Sequence, residues 1–155
     1  MSKKDLESLE DDILQILEDN FASKVVEINT EKADAISISN IPRDQWFDSA
    51  NEKVFNLTEY AVYGFGDVTG IIPAEDPGEI TYSFEIAFTD MQDTVEGKKK
   101  ALRYGRLLRE ILEENAHKLS YTSTLEMTVF APVGIKDLRG TPIKVVGVEI
   151  KTAMG

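Results

Sequence analysis

Glu79-Ile80-Thr81-Tyr82-Ser83-Phe84-Glu85-Ile86-Ala87-Phe88-Thr89 alternates with a period of two. Ile80, Tyr82, Phe84, Ile86 and Phe88 point one way, while Glu79, Thr81, Ser83, Glu85 and Thr89 point the other. Successive side chains of a strand lie on opposite faces, so this stretch predicts a strand with one face on a core and the other polar. The period then changes. Asp93, with Glu96 three residues on, opens a predicted helix that runs to Leu119. Ala101, Tyr104, Leu108, Ile111, Leu112 and Leu119 fall on one side of it. At 1.5 Å per residue that helix is about 40 Å long, enough to cross a whole sheet.

Upstream, Leu6, Leu9, Ile13, Ile16 and Leu17 predict a helix from Lys4 to Asn20, with an outer face of Asp and Glu. Strands are predicted at Lys24–Ile28, at Ala35–Ile41 (stopped by Pro42) and at Leu57–Phe65. Pro42–Ala50 is expected to be a short helix or an ordered loop, and Gly66–Gly78 a loop. Downstream, Thr124–Ala131 and Ile143–Thr152 alternate as strands, joined by a long hairpin loop from Pro132 to Pro142. The expected class is therefore α+β. It has a mostly antiparallel mixed sheet of at least four strands, with an N-terminal helix and one long helix packed on a face. No linker or internal repeat divides the chain, so residues 1–155 are expected to be a single domain.

The chain has 155 residues and a net charge of −11. A chain this long can stand on an apolar core without metal or disulfide. The charge argues against specific nucleic-acid binding, which needs clustered Lys and Arg to displace counterions. It fits either a surface kept soluble by its charge or one that lets DNA pass without sticking. No apolar run suits a membrane span, no export signal opens the chain and there is no cysteine, which together fit a protein made in the cytoplasm.

A search for chemistry yields no catalytic, cofactor or metal site, and no small-molecule ligand is expected. His117 is the only histidine and has no Cys or second His to join it. Gly64-Phe65-Gly66-Asp67-Val68-Thr69-Gly70 has the spacing GxGxxxG and leads into Ile71-Ile72-Pro73, which cannot open a phosphate-binding helix. Asp11-Asp12, Glu75-Asp76 and Glu113-Glu114 are adjacent pairs, and neighbours on a helix or strand point apart. No serine sits in a hydrolase context.

Two features suggest contacts instead. Lys98, Lys99, Lys100, Arg103, Arg106 and Arg109 form a basic block in an acidic chain, followed by Glu110, Glu113 and Glu114. The block is a salt-bridged solvent face, a patch that meets an acidic surface on this chain or a neighbouring subunit, or, as a third option, a DNA contact. Ile71 and Ile72, and Ile135 and Leu138, are apolar residues in stretches expected to be loops, where they either fold back on the sheet or meet a partner. The candidate subunit interface is thus Ile71, Ile72, Lys99, Arg103, Arg106, Ile135 and Leu138.

The order of these parts resembles that of the tail terminator (tail completion) proteins of tailed bacteriophages and prophages. The likeness is carried by Asp5–Asn20, Tyr60–Tyr63, Ile80–Phe88, Leu102–Leu112 and the end from Leu125 to Ile150. It implies a structural virion protein and not an enzyme. It implies a homo-oligomeric ring, commonly a hexamer, that caps the tail tube and joins it to the head, with DNA passing through the lumen. Another tail or neck ring component stays open as an alternative, as does an acidic cytoplasmic adaptor or immunity module that masks a basic partner.

Overall fold

The computed structural model describes residues 6–41, 46–47, 62–72, 78–89, 95–115, 122–129, 133–136 and 142–154. Two helices, α1 (Leu6–Lys32) and α2 (Val95–Asn115), accompany strands β1 (Trp46–Phe47), β2 (Val62–Ile72), β3 (Gly78–Thr89), β4 (Thr122–Val129), β5 (Val133–Lys136) and β6 (Pro142–Met154). The centre of the sheet is the antiparallel pair β3–β6, in register from Gly78↔Met154 to Thr89↔Ile143. Backbone pairing continues outward from it. β2 runs antiparallel to β3 and β1 parallel to β2, while β4 and β5 lie along different stretches of β6.

The fold expected from sequence is corrected by these elements. The N-terminal helix does not end at Asn20, and among the described residues α1, with 27, is longer than α2, with 21. Lys24–Ile28 is helical, because Phe21, Lys24, Val25 and Ile28 keep the helical spacing of the preceding turns and all four are buried. The expectation of a sheet of at least four strands beneath the helices is corrected as well. Where side chains are described, the sheet's part of the core is an antiparallel two-strand pair: Tyr82, Phe84, Ile86 and Phe88 of β3 with Val146 and Val148 of β6. Against them pack Ile13, Leu17, Phe21 and Ile28 of α1 and Ala101, Tyr104, Leu107, Leu108, Ile111 and Leu112 of α2. Phe88 and Phe21 place their rings 5.8 Å and 6.5 Å from that of Tyr104, which joins both helices to the sheet.

α1 stops at Ala33, whose φ of 49° is left-handed and whose N–H bonds to Asn29 O at 3.0 Å. This is the single-bond αL cap, made here by Ala in place of the usual Gly. The next segment, 34–41, is extended but belongs to no strand, which corrects the strand expected at Ala35–Ile41. Its backbone finds side-chain partners instead. Asn29 donates to Ile38 O at 2.9 Å and accepts from Ile38 N at 3.0 Å. The Tyr104 hydroxyl accepts from Ser39 N at 2.9 Å and donates to Ser39 O at 3.0 Å. Ile38 and Ile41 are buried beneath these bonds.

Gly64 and Gly66 lie in β2, opposite Ile86 and Phe84. A Cβ on Gly66 would stand 2.0 Å from the Tyr82 hydroxyl, and one on Gly64 would stand 2.8 Å from the Phe84 ring. These glycines make room for two aromatic rings of β3, a packing role with no bearing on phosphate. The loop expected at Gly66–Gly78 is strand as far as Ile72, and Trp46–Phe47 is a short strand, neither helix nor loop.

Candidate functional site

The charged groups of the helix layer form a seam. α1 and α2 run antiparallel, since later residues of one meet earlier residues of the other. Lys24 Nζ lies 2.9 Å from Glu114 and 3.1 Å from Glu27. Arg106 reaches Glu31 at 2.5 Å and Glu110 at 3.0 Å. Arg103 grips Asp34 through both terminal nitrogens, at 3.0 and 2.6 Å, and also donates to Ile36 O. The Arg103 side chain is only 8% exposed. Fork-to-carboxylate geometry of this kind fixes direction as well as distance, so the pair sets where the chain leaves α1.

The electrostatics are set by these contacts. The Arg103 guanidinium holds the Asp34 carboxyl at about 2, below its ordinary 3.8, although partial burial pulls the other way. Its ionised form is thus favoured in the folded state. The contribution is present above the ordinary value and is lost as pH falls from 3.8 to about 2. Burial pulls the Lys24 ammonium down, but the Glu114 and Glu27 carboxylates together outweigh it and leave it raised.

At the α2 end of the seam, Lys32, Asp34, Lys99, Leu102, Arg103 and Arg106 line an open cleft of about 360 Å³. Of the residues expected at an interface, the structure brings Lys99, Arg103 and Arg106 together here. Arg103 and Arg106 are engaged within the chain, whereas Lys99 is exposed. Ile71 and Ile72 end β2, paired with Ile80 and Glu79, and Ile135 is in β5 opposite Ile143. All three therefore belong to strands, which corrects their placement in loops. Leu138 and His117 lie outside the described residues.

Sequence reasoning missed Lys24, Asp34 and Asn29. Lys24 left a signal, since helical phase places it between Phe21 and Val25 on the core side, where a cation needs a partner. Asp34 and Asn29 left none, because their partners are set by how the chain turns after Lys32. Among the described residues, no group of three or more His, Cys, Asp or Glu is placed to hold a metal ion. No described helix is long and apolar enough to cross a membrane. No protein-family model matches the chain, and no curated protein matches it significantly.

Proposed function

We propose that this chain is a structural subunit that works by assembling with copies of itself. The form of assembly that its element order resembles is the tail terminator ring, which closes the head-proximal end of a phage tail tube. The observation that carries the reading lies on the outside of the helix layer. Val26 is 64% exposed, Val95 71% and Leu102 51%, all on helix surfaces turned from the core. Val95 and Leu102 are seven residues apart, so they share one stripe of α2. Large apolar side chains gain nothing in water and are covered when a second protein surface meets them. The charge of −11 supports the same reading, because an acidic lumen lets DNA slide without adhering. The subunit then acts in the virion, at the junction of tail and neck, and needs no cofactor or membrane.

Negative-stain electron microscopy of the purified protein, alone and mixed with tail tubes, tests this. Closed rings, or density capping one end of the tubes, are expected. A protein that stays dispersed and leaves tube ends bare overturns the reading. A monomer that instead captures a basic protein points to the adaptor alternative.

A further inference from the structure

The outer surface of the helix layer is divided by sign. From Asp11 to Thr30, α1 carries five carboxylates (Asp11, Asp12, Glu18, Asp19 and Glu27), and its one base there, Lys24, is buried. From Val95 to Arg109, α2 carries six bases and a single acid, Glu96. Only part of this charge is left without an ion pair among the described residues. Lys98, Lys99 and Arg109 are exposed and make no ion pair among the described residues. Asp11 is exposed, and Asp19 meets the Gln15 amide at 2.7 Å.

Each charged face has an apolar centre. At 100° per residue, Val26 and Asp19 share the ridge of α1 opposite Ile13, Leu17 and Phe21. By the same rule Val95, Leu102 and Lys99 share the ridge of α2 opposite Tyr104, Leu108 and Ile111. The α1 ridge thus holds an exposed aliphatic residue and, two turns earlier, an exposed carboxylate, and the α2 ridge an exposed aliphatic pair with the exposed Lys99 ammonium between them.

We infer that these two ridges dock on each other between copies, with the α1 ridge of Val26 and Asp19 seated on the α2 ridge of Leu102 and Lys99. The occupant of each ridge is a second copy of this chain, chosen by charge complementarity. The contact rests on the self-assembly reading above and names its surfaces. It uses two different patches of the subunit, so a docked pair retains one unused patch of each kind. Repetition closes a ring when the rotation allows it. Opposite charges speed encounter and set register, while burial of Val26 and Leu102 slows release.

Sedimentation velocity on the full-length protein, over a concentration series in low and high salt, tests the contact with charge reversal. Lys98→Glu with Lys99→Glu is one variant, and Asp11→Lys with Asp19→Lys is a second. All four positions are solvent-facing, and circular dichroism with a melting curve verifies folding. Each variant is expected to associate at least tenfold more weakly than wild type. The chain carrying all four changes is complementary again and is expected to recover. Leu102→Ser is expected to weaken association in both salts, because its loss is apolar. Single variants that associate like wild type, or a fourfold variant that fails to recover, overturn the docking. If those variants still form rings on tail tubes, the docking is wrong and the ring reading stands. If wild type neither associates nor caps tubes, both fall.

Discussion

Strand β3 and the segment 34–41 are both extended, and each buries one side. They meet their backbone needs differently. β3 has a ladder on both edges, to β2 and to β6, so its N–H and C=O groups are paired by repetition of the same geometry. Among the described residues, the segment 34–41 has no strand beside it. Asn29 replaces a ladder partner at Ile38, Tyr104 does so at Ser39, and Arg103 caps Ile36 O. A ladder is redundant, since losing one side chain leaves the main-chain bonds intact. A segment held by individual side chains depends on each. The same extended shape is therefore robust in one place and replaceable residue by residue in the other.

The largest expected effect lies in β3. Phe84 is fully buried between the helices and β2. Phe84→Ala should cost about 3–5 kcal/mol in denaturant unfolding, the transfer and cavity cost of a lost core ring. A cost below about 1 kcal/mol would show that β3 does not anchor the core. Next comes Asn29→Ala, which orphans both backbone groups of buried Ile38 for a cost of about 1–3 kcal/mol. Hydrogen exchange should speed up at the Ile38 amide and stay unchanged within β3. Equal acceleration in both places would mean that the two regions open as one.

Tyr104→Phe keeps the ring contacts and removes only the clamp on Ser39. Because Ser39 is exposed and water can take over, about 0.5–1.5 kcal/mol is expected. Burial raises the Tyr104 hydroxyl to about 12, against the smaller opposing pull of its Ser39 bond. The folded state thus resists ionisation, and wild-type stability should fall as pH rises from 10 towards 12. The Phe variant should lack that part of the alkaline loss, and an identical pH profile would show that the Tyr104 hydroxyl is not held in a buried site.

The smallest effect has the opposite sign. Glu85 lies on the face of β3 away from the helices, where its Cγ occupies the space beside Gly147 Cα. Burial raises its carboxyl above the ordinary range, so ionisation is disfavoured in the folded state. Stability attached to this group is full at low pH and declines as pH rises from the ordinary carboxylate value through the raised one. Glu85→Gln should therefore be slightly more stable than wild type at neutral pH and equal to it in acid. A variant less stable at neutral pH would mean that Glu85 has a cationic partner.

The sequence by itself determined the parts in which one period dominates a long window. β3 and the buried side of α2 were legible from their own residues, because alternate faces or helical faces repeat many times there. The basic block on α2 was equally plain, since charge is written in composition. Tertiary structure alone decided the rest. Lys24–Ile28 suits a strand or a helix, and it became helix because α1 already ran into it and bonding one more turn costs less than nucleating anew. The alternation at Ile36 and Ile38 announced a buried side but not what would pair the backbone, and the partners came from residues up to 69 positions away, as in Arg103–Asp34. Ile71, Ile72 and Ile135 were drawn into strands by neighbours that their own glycine- and proline-rich surroundings do not reveal. Periodicity reports which side of a segment is apolar, whereas the partner of a hydrogen bond or a charge is fixed only when distant segments meet.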